Sequence, residues 1–257
     1  MCLLIFAHRC SRVAPLALAA NRDEFHARPT AAAGFWAEHP ELLAGRDLAQ
    51  GGTWMGVTRD GRFAAVTNFR DPSHTGEAPR SRGELPLDYL IGRQSPDEYL
   101  REVAARSQQY AGFNLLLGDG ESLWYFDNNP GELPMELAPG VYGLSNARLD
   151  TPWPKVELGK RAMRALLHEG EWDHDALASV VADRRLADSA SLQLPAAGSE
   201  MERMLSAQFI LSEHYGTRAT TTLWSDGTTM HWREKSFNAA GEPSGVSQET
   251  FRISSRG

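Results

Sequence analysis

A cysteine at position 2 has a chemical option that no later cysteine shares. Once the initiator Met1 is removed, which a small second residue usually permits, Cys2 would carry a thiol and a free α-amino group on one residue, the amine having an ordinary pKa of about 7.7–8.0. The amine can take the thiol proton directly or through one water, so the residue is both nucleophile and base. The plain alternative is a small apolar filler at the head of a buried strand, since free cysteine is among the most buried residue types, and position alone favours the filler. Cys10, after His8-Arg9, has no such argument and reads as a turn or strand-end residue.

Four polar residues, Asn21-Arg22-Asp23-Glu24, directly follow Leu16-Ala-Leu-Ala-Ala20. They read as the end of a buried strand, with Asn21 and Asp23 on one face and Arg22 and Glu24 on the other. Strand ends are commonly polar, and the four can pair with one another. Coming straight after an apolar run, however, they need hydrogen-bonding partners at partial burial, a stricter demand than that on solvated charge. Asn68 follows Ala64-Ala-Val-Thr67, and Asn146 follows Val141-Tyr-Gly-Leu-Ser145. A side-chain amide at such a strand end can donate to a developing oxyanion, where one lost donor costs ~2.7–4 kcal/mol, although asparagine also simply favours turns. Arg218 stands among threonines in Tyr215-Gly-Thr-Arg218. Its planar fork suits a carboxylate or other anionic substrate group, with a solvated strand end as the plain reading. No phosphate loop, nucleophile elbow or dinucleotide fingerprint is present, and the 8 histidines form no HExxH and no Cys/His cluster. Neither a metal nor a cofactor is expected.

Antiparallel hairpins must position these residues. Asp60-Gly61, Asp119-Gly120 and Asp226-Gly227 each separate two apolar or β-branched runs, the strongest short-range hairpin signal, in which both turn residues take positive φ. Leu3–Ala7 and Ala14–Asn21 add two strands apolar enough to be buried on both faces. A helix begins at Ser95-Pro-Asp-Glu98, where a capping box and a first-turn proline coincide, and its apolar face is Tyr99, Leu100 and Val103. A second helix is predicted from Trp153 to about Leu167 and a short third over Asp175–Val181, while Ala187–Glu200 and Asn238–Gln248 read as surface loops.

The chain of 257 residues is read as one domain spanning 1–257, large enough to bury a core without help from its 2 cysteines. With 26 basic and 33 acidic side chains its charge is −7, which argues against nucleic acid or an anionic membrane as a general partner. The opening apolar run is too short for a signal h-region or a membrane span, so a soluble cytoplasmic protein is expected.

Taken in order, Met1-Cys2, Asn21-Arg-Asp-Glu-Phe25 with Arg28-Pro29, Gly51-Gly-Thr-Trp-Met-Gly56, Thr67-Asn-Phe69, Gly112-Phe-Asn114, Tyr142-Gly-Leu-Ser-Asn146 with Asp150-Thr-Pro-Trp-Pro-Lys155, and Tyr215-Gly-Thr-Arg218 form a series. This series resembles the NRDE family, whose animal members are the transport-and-Golgi-organisation proteins, over nearly the whole chain. That family is in turn similar to the N-terminal-nucleophile hydrolases of the choloylglycine and penicillin-acylase type. The resemblance implies an α+β fold, a four-layer αββα sandwich of two mainly antiparallel sheets covered by helices. It also implies Cys2 as nucleophile, Asp23 holding the α-amine, Asn68 as oxyanion donor, and Asn146 and Arg218 as further active-site residues, with Asn21 and Arg22 as weaker candidates. The reaction implied is hydrolysis of a linear non-peptide C–N bond in a small acyl amide. Those hydrolases carry an arginine three residues before the aspartate. Here that position is Ala20, and the arginine is Arg22, on the strand face opposite Asp23. The consequence expected is either a different local register or a cysteine without its neighbouring cation. The competing implication is a non-catalytic carrier of haem or another amphipathic ligand, its cleft lined by methionines, aromatics and His26, His74 or His214, although no histidine spacing singles out a haem ligand.

Overall fold

The apolar segments fold into two antiparallel sheets in the computed structural model, which describes residues 2–11, 14–69, 78–188 and 200–254. Strands and helices are numbered in chain order. The first sheet has 6 strands, in the order β10 (Gly140–Leu144), β1 (Cys2–His8), β2 (Leu16–Phe25), β11 (Tyr215–Ser225), β12 (Thr229–Phe237), β13 (Pro243–Arg252). The second has 7, in chain order: β3 (Thr30–Phe35), β4 (Leu42–Asp47), β5 (Met55–Thr58), β6 (Phe63–Asn68), β7 (Phe113–Gly118), β8 (Leu123–Asp127), β9 (Met135–Glu136). Helices α1 (Glu84–Ile91) and α2 (Pro96–Ala105) join β6 to β7, α3 (Pro154–Glu169) and α4 (His174–Ser179) follow β10, and α5 (Glu200–Met204) precedes β11.

Side-chain alternation builds the layers. Leu4 and Phe6 of β1 and Leu18 of β2 face the second sheet and pack with Met55, Val57, Phe63 and Leu116. Leu3, Ile5, Ala17 and Ala19 face outward onto Val156 and Met163 of α3 and Leu177 of α4. On the far side, Ala64, Leu115 and Leu117 pack under Leu85 and Tyr89 of α1 and Leu100 and Val103 of α2. The result is the αββα sandwich. It explains why β1 is apolar without alternation: both of its faces are covered.

The Ser95–Glu98 capping box forms as the sequence predicts. α3 starts at Pro154 and runs to Glu169, ended by Gly170 at φ 78°. α4 starts at His174, one residue early, because Asp173 caps it by accepting from the backbone of Asp175 and Ala176. All three Asp-Gly hairpins are present, but only the glycines take positive φ, at 85° for Gly61, 89° for Gly120 and 91° for Gly227. The connections are therefore longer than two-residue turns. Asp119 and Asp226 serve as side-chain acceptors instead, for the N–H groups of Glu121 and Ser122 and of Thr228 and Thr229.

Two boundaries differ from expectation. β2 does not end at Asn21 but continues through Phe25, because β11 pairs with it over its whole length. Asn238–Gln248 is not all loop, since Pro243–Arg252 forms the exposed edge strand β13. Proline fits its first position, and an exposed strand needs no apolar alternation to announce it. Of the predicted Ala187–Glu200 loop, 189–199 lie outside the described residues and Glu200 opens α5.

Candidate active site

Cys2 heads β1 with its side chain on the inner face, 7% exposed. In the β1–β2 register it stands directly across from Arg22, which places the two side chains side by side on one face. Ala20 shares that face. The strand is regular here, so moving the arginine from the position of Ala20 to Arg22 keeps a cation beside the cysteine. Of the two consequences expected, neither a shifted register nor a cysteine without a cation is what the fold produces.

Asn21-Arg22-Asp23-Glu24 lies inside β2, and its first three members are buried. Neighbouring β11 and the segments flanking α4 and α5 supply the partners that Asn21 and Asp23 require. Thr220 Oγ1 donates to Asn21 Oδ1 at 2.6 Å, while Asn21 Nδ2 donates to the carbonyls of Val181 and Gln208, both at 2.8 Å. Asn21 is thus a clamp on the outer face of the sheet. Asp23, 2% exposed, accepts from Thr217 Oγ1 at 2.7 Å, and the Tyr215 hydroxyl donates to its carbonyl at 3.0 Å. Burial pushes its carboxyl up to about 6, while buried Lys155 of α3, the Thr217 hydroxyl and Arg22 hold it from rising further. Lys155 donates from Nζ to the Leu205 carbonyl at 2.8 Å. Burial pulls its ammonium down to about 8, against the attraction of Asp23 and Cys2. Burial likewise raises the Cys2 thiol, with Arg22 and the Asp23 backbone amide opposing. At neutral pH the resting sulfur is a thiol, and a base must take its proton as it attacks.

Asn68 ends β6 and lines the same cleft as Cys2. Among the described residues nothing hydrogen-bonds its side-chain amide, and its carbonyl accepts from Asn146 Nδ2 at 2.9 Å. Asn146, 1% exposed, is not among the residues lining the cleft, and its Oδ1 and the Cys2 carbonyl, at 3.2 and 3.0 Å, share the single proton of Ser145 Oγ. Asn146 therefore braces the chain between β6 and β1. Beneath it Thr67 Oγ1 donates to the Ser145 carbonyl at 2.7 Å, and Asn114 Nδ2 donates to Thr67 Oγ1 at 3.0 Å and the Ala147 carbonyl at 3.1 Å. The Tyr125 hydroxyl closes this network on Asn114 Oδ1 at 2.7 Å. Five residues that the sequence did not single out, Thr67, Asn114, Ser145, Lys155 and Thr217, thus position the candidates. Each lies inside one of the ordered motifs, which was the available signal.

Arg218 is aimed by a β-bulge. Thr217 pairs with Asp23 and Ala219 with Arg22, leaving Arg218 as the extra residue on β11. Bulges beside a site re-aim a side chain in this way. Arg218 lines the cleft, and its Nη1 donates to the carbonyl of Arg28 and, at 3.4 Å each, to the Phe25 carbonyl and Thr30 Oγ1. The cleft has a volume of about 700 Å³ and lies between the two sheets, with Cys2, Arg22, Asn68 and Arg218 in its wall. Among the described residues no three His, Cys, Asp or Glu side chains converge as a metal site, and no helix is long and apolar enough to cross a membrane. His26 contacts the Ser212 carbonyl at 3.1 Å and His214 is exposed, neither lining the cleft, while His74 lies outside the described residues.

A mutant conjugated bile acid hydrolase from Clostridium perfringens shares this fold, with a TM-score of 0.54 over 100% of this chain and 98% of its own at 8% identity. The Transport and Golgi organization protein 2 homolog of Bos taurus is 37% identical over 246 residues, covering 88% of this chain and 89% of the relative, and that of Homo sapiens is 36% identical over the same span. The family model for Transport and Golgi organisation 2 matches residues 1–239, so the chain belongs to the Transport and Golgi organisation 2 family.

Proposed function

We propose that the protein is an N-terminal cysteine amidohydrolase acting on a linear, non-peptide acyl amide of small size. The observation that carries this reading is the placement of Cys2 at the head of β1, across from Arg22 and in the same cleft as Asn68, with buried Asp23 and Lys155 acting on each other electrostatically nearby. The fold shared with a bile acid hydrolase supports it. After removal of Met1, the Cys2 α-amine accepts the thiol proton as sulfur attacks the acyl carbon. The carbonyl electron pair moves to oxygen, where the Asn68 amide donates to the oxyanion. Collapse breaks the C–N bond, and the ammonium returns its proton to the leaving nitrogen. Water then attacks the thioester, giving up one proton to the amine, and the thiol and a carboxylic acid are released. Asp23 holds the ammonium, Arg218 forms part of the cleft wall, and Asn146 braces Asn68 from behind it.

The test starts from intact mass, where retained Met1 excludes the mechanism because a blocked amine cannot be the base. With Met1 absent, screening against N-acyl amino acids, N-acyl homoserine lactones and penicillin V should reveal turnover that Cys2→Ala abolishes. The names of the bovine and human relatives favour a second reading, a non-catalytic carrier in the same cleft. Under that reading Cys2 would react with iodoacetamide no faster than a model thiol, and a haem titration with a Soret shift would mark haem as the cargo.

A further inference from the structure

Among the described residues the cleft is lined by 6 arginines, and they divide into two groups. Arg28 is bonded to Asp47, Arg46 to Glu38 and Arg80 to Glu84, all at 2.5 Å. Arg22, Arg82 and Arg218 have no carboxylate within the 4.0 Å reach of an ion pair among the described residues. Arg22 is 7% exposed and, among those residues, makes no hydrogen bond, yet it faces the cleft across from Cys2. Arg82 is half-buried and spends Nη1 on the Gly112 carbonyl at 3.0 Å. Arg218 is turned toward the cleft by the bulge and anchored by one nitrogen on backbone carbonyls, leaving the rest of its fork free of a carboxylate. The acids that share the space form no ion pair with this group, although Glu24 attracts Arg82 and Arg218 from farther off and Glu234 attracts Arg22. Glu24 accepts from the Phe25 backbone amide at 2.9 Å, and buried Glu234 from that of Ala33 at 2.7 Å.

The Arg22 guanidinium opens onto the cleft with no protein partner among the described residues, so its N–H groups are left for whatever fills the cleft. A planar fork is also best satisfied by a carboxylate or phosphate, bound through two parallel N–H···O bonds. We infer that Arg22, Arg82 and Arg218 form an oxyanion-binding wall, so that the cleft selects substrates bearing a carboxylate or phosphate near the amide that Cys2 attacks. This names the substrate class and rests on the reading of Cys2 as the nucleophile. Like-charge repulsion supports it: burial and the nearby Arg22 lower the Arg218 pKa more than Glu24 raises it, and a bound anion would offset that repulsion between cations.

The experiment separates binding from turnover. The full-length Cys2→Ala protein, which cannot form the thioester, is titrated by calorimetry with N-octanoylglycine, with its neutral isostere N-octanoylglycinamide, and with inorganic phosphate as competitor. The carboxylate probe should bind roughly tenfold or more tighter than the amide. That margin should shrink as salt rises and on adding Arg82→Gln to the protein, with circular dichroism checking that the double variant is folded. Competition by phosphate would extend the site to phosphate esters, and its absence would confine it to carboxylates. Equal affinity for the two octanoyl probes, or binding of neither, overturns the inference, as does an unchanged margin in a folded Arg82→Gln variant. Hydrolysis by the Met1-processed wild-type protein is measured alongside. An anion preference without hydrolysis would leave the wall standing and remove the nucleophile, and hydrolysis of both probes at equal kcat/KM would do the reverse.

Discussion

Thr217→Val is the sharpest probe of how the fold holds Asp23. The substitution replaces a hydroxyl with a methyl of nearly the same shape at a site 1% exposed, so packing changes little. It removes the 2.7 Å donor to Asp23 Oδ1 and the 2.8 Å acceptor for the Ile210 amide. A hydrogen bond to a charged group contributes about 1.5–3 kcal/mol, and a buried N–H left without a partner costs about 1–3 kcal/mol. The first contribution exists only while Asp23 is ionised. The sign follows from the direction of its shift. Burial raises the folded value from 3.8 to about 6, so the stability associated with the protonated carboxyl is present below the ordinary value and lost as pH rises through about 6. Removing the donor raises the folded value again, by about 1–2 pH units at 1.36 kcal/mol each. Urea unfolding of wild type and variant should therefore differ by the Ile210 contribution alone at pH 4.5. At pH 8.5 the difference should grow by about 1.5–3 kcal/mol. The same difference at both pH values, within about 0.5 kcal/mol, would mean that Thr217 does not stabilise a charged Asp23.

Turnover should fall on acidification through the Asp23 titration at about 6. Lys155→Met, by removing the cation that favours the carboxylate, should move this acid limb to higher pH in a pH–rate profile, and an unmoved limb would dissociate Lys155 from Asp23. Asn114→Ala removes donors to Thr67 and Ala147 and the acceptor for Tyr125. It should cost about 2–4 kcal/mol in denaturant unfolding, and a cost below about 1 kcal/mol would show that the network under Ser145 is slack. Gly52→Ala would set a Cβ 2.5 Å from the carbonyl carbon and oxygen of Gly83. Backbone cannot yield there as a side chain would, so a loss of about 1–3 kcal/mol is expected as a lowered melting temperature. Because Gly83 follows Arg82, weaker binding of N-octanoylglycine should accompany it, and an unchanged melting temperature would contradict the contact.

Local chemistry determined much of this protein from its sequence. Asp-Gly turns, a Ser95–Glu98 capping box and doubly apolar strands depend on neighbours within a few residues, so the hairpins, α2 and the double coverage of β1 were legible. The ordered motifs brought Cys2, Asp23, Asn68, Asn146 and Arg218 forward as a set and implied the αββα sandwich. Only the tertiary structure decided where polar residues find their partners. Asn21 and Asp23 are buried because β11 and the segments around α4 and α5 supply hydroxyls and carbonyls from more than 150 residues away in the chain, and nothing within β2 itself encodes that. The register alone places Arg22 across from Cys2, and a single bulge decides the direction of Arg218. The helix over Lys155 was legible, but only the packing of α3 on the sheet brings its ammonium within electrostatic range of Asp23. Residue types fixed which chemistry was available, and long-range strand pairing, which the side-chain period of one strand cannot reveal, fixed which groups share a cleft.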